Sequence, residues 1–192
     1  MLQYQILHWI SWLCLGWFIA WWLLAIWHKP ARQAASPQVE YGHRILMVAG
    51  FILLWEPFHP AILRARFYHP QPWLLWISLA AVIAGIGLTF WARFVLGSNW
   101  SARIVIKQDH ELIRSGPYTR IRHPIYTGIL LVLLGVLAAT CRWSGIVGFI
   151  LVFTALWIKA HAEERLLAPI FGNAFVEHLR RTGLFLPRFR QL

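Results

Sequence analysis

The sequence predicts an all-α integral membrane protein. It should have five transmembrane helices, with spans four and five folded as a helical hairpin, and a C-terminal amphipathic helix on the cytoplasmic side. Three observations predict this. Hydrophobic residues make up 59% of the chain and charged residues only 13%, far from the balance of a soluble domain. Thirteen residues are tryptophan, whose indole ring favours the membrane–water interface. Apolar runs recur at close to the ~20 residues a helix needs to cross the hydrocarbon core.

The first span covers residues 6–28. It lacks a basic leader and a small-residue cleavage site, and it is too long for a signal-peptide core, so it reads as a retained span. Residues 45–63 form a weaker second span, interrupted by Glu56, Pro57, His59 and Pro60. Glu56 is costly in lipid and is expected to pair with a histidine such as His59, or to lie near the outer surface. Residues 73–96 form the third span, and residues 124–140 and 143–160 the last two. The turn at Cys141 and Arg142 is so short that the last two must run antiparallel.

Five spans put the termini on opposite sides. With the N-terminus outside, the outer loops hold only Arg64, Arg66 and Arg142 of the 18 lysines and arginines. That asymmetry places the C-terminus in the cytoplasm. The net charge of +11 would suit nucleic acid. Here, though, the basic residues alternate with spans rather than forming one soluble face, so no nucleic-acid partner is expected. Cys14 in a span and Cys141 at a turn make no disulfide framework. The nine histidines form no HExxH or clustered HxxH pattern, and CxxC is absent, so no metal site is expected.

Two polar regions remain, residues 97–126 and 161–192. The hairpin returns the chain to the face it left, so the two regions should meet in a pocket at the inner membrane surface. The chain then reads as one membrane domain over 1–192, with a three-helix part (1–96) and a functional part (97–192). Pro124 suits the first turn of a helix. The backbone donors just before it should be free at a positive helix end, which suits a carboxylate or phosphate. Arg122 and His123 add charge there, Tyr118 and Tyr126 add rings with hydroxyl tips, and Gly116-Pro117 forces a turn. Gly128, one turn in, admits a close backbone or ligand. Interfacial anchoring of the helix would use the same residue types.

In the second region Glu163 and Glu164 end the fifth span, an unfavourable place for anions against the helix dipole. They need a partner, and Arg122 and His123 or a bound cation would serve. Leu166, Leu167, Ile170, Phe171, Phe175 and Leu179 then make one apolar stripe, as in an amphipathic helix lying at the interface. Asn99, Trp100 and Ser101 follow the third span. They suit a lipid head group, or equally a helix cap with an interfacial tryptophan.

The pattern His110-x-Leu112-x-x-x-Gly116-x-Tyr118-x-x-x-Arg122-His123-Pro124-x-Tyr126-x-Gly128 resembles the cofactor motif of the isoprenylcysteine carboxyl methyltransferases. Glu163-Glu164-x-x-Leu167-x-x-x-Phe171-Gly172, followed by Arg181, resembles that family's second motif. The resemblance covers roughly residues 97–190, and its Arg-His-Pro-x-Tyr element is shared with phospholipid methyltransferases and some membrane sterol reductases. The family often has tyrosines after the Phe-Gly pair, where this chain has Phe175 and His178.

The resemblance implies a methyltransferase without a Rossmann domain, with S-adenosylmethionine held on the cytoplasmic side and a lipid-borne or prenylated acceptor entering from the bilayer. Arg122, His123 and the helix end starting at Pro124 suit the cofactor's carboxylate. Glu163 or Glu164 suits its ammonium or ribose hydroxyls, and Tyr118 and Tyr126 its adenine or sulfonium. His110 and Leu112, near the Gly116 turn, suit the adenine edge. Asn99, Trp100 and Arg181 are the expected acceptor contacts, with Glu164 and Arg181 the expected catalytic pair. A carboxylate acceptor is already ionised near neutral pH, so desolvation and alignment, with an arginine such as Arg181 as the grip, should dominate. An amine acceptor would first have to lose a proton to a base such as glutamate. The residue types leave O- and N-methylation open, as well as a sterol-type reductase and a non-enzymatic lipid-binding scaffold. Oligomeric state is not legible.

Overall fold

The structure is a computed structural model that describes residues 1–25, 31–34, 36–54, 63, 65–101, 103–107 and 111–189. The described residues form five long helices: α1 (Leu2–Ala25), α2 (Pro37–Leu54), α3 (Pro72–Leu96), α4 (Pro124–Thr140) and α5 (Trp143–Arg181). The helical class is as expected, with one departure. A short antiparallel ribbon pairs β1 (Ala31–Ala34) with β2 (Val105–Lys107), in the register Ala31↔Lys107 and Ala34↔Val105. It ties the α1–α2 connection to the segment that follows α3. Glu56, His59 and Arg64 lie outside the described residues.

Three helices are long and apolar enough to cross a membrane: Leu2–Leu24, Pro72–Asn99 and Trp143–Arg181. Helix α4 is apolar but shorter. Helix α2 covers residues 45–54 of the expected second span and starts eight residues before it, where Pro37 opens a polar turn carrying Glu40; residues 55–62 of that span lie outside the described residues. Helix α5 takes in both the fifth span and the expected C-terminal helix, but non-helical angles at Gly172 (φ 49°), three residues after Pro169, break it at a kink into two helical stretches. The stretch before the kink, residues 143–171, carries Glu163 and Glu164 in its last turns.

Small residues set the helix spacing. A methyl group at Gly85 would lie 2.6 Å from the Gly128 carbonyl oxygen, and one at Gly135 would lie 2.7 Å from that of Ser78. The α3–α4 backbones thus touch, as in small-residue helix contacts. Gly50 and Gly148 bring α2 and α5 together in the same way, each within 2.8 Å of the other's carbonyl. Gly128 was open to either a backbone or a ligand, and the backbone of α3 occupies the space. Ile6, Ile10, Leu75, Val82 and Val132 make one core between α1, α3 and α4, and Leu130, Leu133, Val152, Leu156 and Phe185 make another between α4, α5 and the tail.

The bundle has two chemically different ends. At one, Arg66 Nη1 donates to Gln3 Oε1 (3.1 Å), and Phe67 N donates to the carbonyl of Cys141 (2.9 Å). This closes the hairpin turn against the start of α3. At the other end, residues 97–123 meet the second half of α5 and the chain beyond it.

Candidate functional site

The first wall of the site is built by the approach to α4. Gly116 takes φ +56°, where a side chain is strained, and a methyl group there would come within 3.0 Å of Val95. The 3-10 turn Gly116–Thr119 follows and buries Tyr118, whose hydroxyl donates to the carbonyl of Ala92 at 3.4 Å. Burial, and secondarily the negative field of Glu163, hold the Tyr118 phenol well above its ordinary pKa, so it stays neutral. Pro124 then starts α4 with His123 as its N-cap.

The donors ahead of Pro124 are not free, contrary to the sequence expectation. Arg122 N donates to the carbonyl of Gly183 (2.9 Å) and His123 N to that of Leu184 (3.2 Å). Ile121 forms a parallel bridge with Gly183. The tail that follows α5 has folded back and taken these donors. Gly183 makes the bend possible, since a methyl group there would meet the Leu186 oxygen at 2.0 Å. Thr127 Oγ1 donates to the carbonyl of Phe185 (2.6 Å), and the Phe185 ring packs edge-on against His123 and Tyr126.

The second wall comes from α5. Arg122 Nε donates to Glu164 Oε1 at 2.6 Å, and its Nη1 donates to the carbonyls of Thr182 (2.5 Å) and Leu179 (3.4 Å). One guanidinium therefore joins the acidic pair to the unsatisfied carbonyl end of α5. His123 Nε2 lies 3.1 Å from Glu164 Oε1, and its Nδ1 lies 3.6 Å from Glu163 Oε2. Tyr126 donates to the Glu163 carboxylate at 2.8 Å, and Lys159 Nζ stands 3.5 Å from it. His123 and Tyr126 stack with centroids 5.1 Å apart and planes 4° apart. The two motifs are thus one ionic and hydrogen-bonded cluster. Glu163 and Glu164 have the partners they were expected to need, although the helix runs on past them rather than ending there.

A cavity opens beside this cluster. Its volume of about 130 Å³ far exceeds the ~10–15 Å³ one water needs. Tyr118, Arg122, His123, Tyr126, Glu163 and Glu164 line it, as do Leu112, Asn99 and Trp100. Asn99 Oδ1 is buried without a hydrogen-bond partner among the described residues. Trp100 is held by Arg93, whose guanidinium lies 4.6 Å over the ring, and by the edge of Trp21. Arg93 also donates to the carbonyls of Gly97 and Leu24, fixing the ends of α3 and α1.

Three of the expected site residues, Gly116, Pro124 and Arg181, are placed differently, and a fourth is not described. Gly116 and Pro124 shape the backbone but do not line the cavity. His110 lies outside the described residues. Arg181 is not brought to the cavity: its side chain is exposed and pairs with Glu177 one turn earlier. Several lining residues were missed. Arg103 and Glu111 sit in irregular chain without periodicity, whereas Leu166, Leu167 and Phe175 belong to the stripe assigned to the membrane surface. His178, at one of the positions where the family has tyrosine, is buried and lines the cavity. That departure was its only signal in the sequence. Among the described residues, no group of three or more His, Cys, Asp or Glu side chains is placed to hold a metal ion.

The model of the isoprenylcysteine carboxyl methyltransferase family matches residues 76–169, from within α3 to beyond the acidic pair. The chain is 32% identical over 109 residues to Uncharacterized protein YpbQ of Bacillus subtilis (strain 168), covering 55% of this chain and 61% of that one. It is 29% identical over 123 residues to Protein-S-isoprenylcysteine O-methyltransferase B of Arabidopsis thaliana, covering 61% of each. It is 31% identical over 169 residues to Nickel-cobalt-cadmium resistance protein NccN of Alcaligenes xylosoxydans xylosoxydans, covering 83% of this chain and 73% of that one. The chain thus spans about three fifths of the first two relatives and nearly three quarters of the third. The family match takes in the first motif and the Glu163-Glu164 pair that opens the second, and by that match and these relatives the chain belongs to the isoprenylcysteine carboxyl methyltransferase family.

Proposed function

We propose that this protein is an S-adenosylmethionine-dependent methyltransferase whose acceptor is a lipid-borne carboxylate of the isoprenylcysteine type. The observation that carries the reading is the single cavity in which Tyr118, Arg122, His123 and Tyr126 meet Glu163 and Glu164. On this reading residues 97–192 are the cofactor-binding and catalytic part, and residues 1–96 are the membrane part that backs it. The cavity end faces the cytoplasm, the N-terminus lies outside, and the chain crosses the bilayer five times.

The residues fit the cofactor by charge and by hydrogen-bonding capacity. The lining holds carboxylates for an ammonium or for hydroxyls, cations for a carboxylate, and apolar and aromatic surface for a flat ring. Asn99 Oδ1 supplies an independent sign. An acceptor buried without a partner costs free energy until a donor arrives, and the cofactor offers amino and hydroxyl donors. Asn99→Ala is therefore expected to weaken S-adenosylhomocysteine binding about tenfold. The unliganded protein should melt no lower than wild type. Titration calorimetry and thermal unfolding in detergent check the two halves of this prediction.

Bound there, S-adenosylmethionine supplies a methyl group on a sulfonium. The protein's own task is to orient the acceptor and keep water out. Leu96, Ile113, Leu166, Leu167 and Phe175 give the cavity its apolar share. A carboxylate favours this site over an amine, because Glu163 and Glu164 are already engaged by Lys159, Tyr126, His123 and Arg122. Neither is free to take a proton from an ammonium. Arg103, which lines the cavity, is better placed than Arg181 to hold the acceptor carboxylate. Arg103→Ala should raise the acceptor KM about tenfold, whereas Arg181→Ala should leave it within about twofold, as expected for a surface pair. Methyl-labelled S-adenosylmethionine, supplied with a prenylated cysteine or with phosphatidylethanolamine, tests the reading. Label on the carboxylate supports it, and label on the amine alone overturns the acceptor assignment.

A further inference from the structure

Helix α2 precedes the residues matched by the family model. It nevertheless sends a buried carboxylate to the cavity wall. We propose that Glu40 is a positioning residue that fixes the wall segment running from Asn99 to Ile104. Glu40 is only 8% exposed, although it stands in the first turn of its helix, where the dipole favours an anion that would ordinarily remain in water. Its Oε2 accepts the backbone N–H of Ile104 at 3.2 Å, a contact across 64 residues of chain. Its Oε1 faces Arg44 at 2.5 Å without hydrogen-bond geometry and lies 4.0 Å from Arg103 Nε.

Ile104 is fully buried, and Asn99, Trp100, Ser101 and Arg103 all line the cavity just before it. The segment is thus fastened at two points. Arg93 holds Trp100 at the α3 end, and Glu40 holds Ile104 and Arg103 at the other. The β1–β2 ribbon brings these segments together, since it places residues 31–34 of the approach to α2 against 105–107. Glu40 touches no residue of the acidic cluster in any described contact, and Glu40 itself does not line the cavity. It acts through the segment it holds.

The test asks whether the segment loosens. In full-length protein in detergent, Ser101→Cys reports exposure of the wall through its rate of maleimide labelling, read at position 101 by peptide mass spectrometry. Adding Glu40→Ala is expected to speed labelling about tenfold, corresponding to loss of one charge-assisted hydrogen bond. Glu40→Gln keeps an acceptor for Ile104 N and should restore most of the protection. The variants without the reporter should show the same order in their affinity for S-adenosylhomocysteine. Equal labelling with and without Glu40→Ala, in folded protein, overturns the proposal. If Glu40→Ala does not fold, Glu40→Asp, which keeps the charge but cannot reach Ile104, replaces it, and labelling at the wild-type rate again overturns the proposal. The inference rests on the methyltransferase reading only for the choice of ligand. Should wild type bind no S-adenosylhomocysteine, that reading fails while the labelling result still decides the role of Glu40.

Discussion

Arg122→Ala is expected to abolish measurable S-adenosylhomocysteine binding and to destabilise the bundle by about 3 kcal/mol, the low end for breaking a buried ion pair. The low end applies because the Arg122 and Glu164 side chains each keep 16% of their exposure. The loss is threefold. Glu164 is left facing only His123, the carbonyls of Leu179 and Thr182 lose their donor, and the cavity loses a cation. Arg122→Lys should recover less than half of either effect. A single ammonium on a flexible stem cannot reach Glu164 and Thr182 with the fork geometry of guanidinium. Calorimetry and thermal unfolding of the same detergent-purified samples separate binding from folding. Normal binding by Arg122→Ala would reduce the pair to a structural clasp.

Gly128→Val should prevent the bundle from assembling in stable form, a loss of at least ~3 kcal/mol, at or beyond the usual cost of overpacking. The first added carbon would lie 2.6 Å from Thr89 Cγ2 and 2.7 Å from the Gly85 carbonyl oxygen. The second of these is backbone and cannot rotate away. Thr89 is itself fixed, donating to the Ile86 carbonyl and accepting from Trp17 Nε1 at 3.0 Å. Relief therefore requires α3 and α4 to separate, which shifts Tyr126 and Pro124 one turn upstream and opens the site. Gly87→Ala is the control. Nothing lies within 4 Å of an added methyl group there, and helix propensity alone predicts a gain of up to ~1 kcal/mol. Thermal melts of the two variants should move in opposite directions.

The sequence was most informative where length and chemistry coincide. Residues 124–140 were legible to the residue because Pro124 opens the helix and the short Cys141-Arg142 turn ends it. The meeting of Arg122 and His123 with Glu163 and Glu164 was legible for a related reason: a hairpin must return the chain to its starting face, and adjacent carboxylates at the edge of an apolar run need partners. Three features were not legible. The tail from Thr182 to Phe185 takes the backbone donors of Arg122 and His123, a long-range pairing that no local pattern announces. The extent of the fifth helix was hidden because its apolar run fades at residue 160, yet the chain stays helical past Glu163 and Glu164 to the break at Gly172. Glu40 and Arg103 were invisible as a pair, because their link depends on the β1–β2 ribbon, and three- and four-residue strands leave too short a period to read.

The central claim is that this cavity holds S-adenosylmethionine. Calorimetric titration of the wild-type protein with S-adenosylhomocysteine, and separately with NADPH, tests it most directly. Saturable 1:1 binding of S-adenosylhomocysteine, weakened by Arg122→Ala and Asn99→Ala and absent for NADPH, is the predicted result. Saturable NADPH binding with no response to S-adenosylhomocysteine would contradict the claim and favour reductase chemistry at the same cluster.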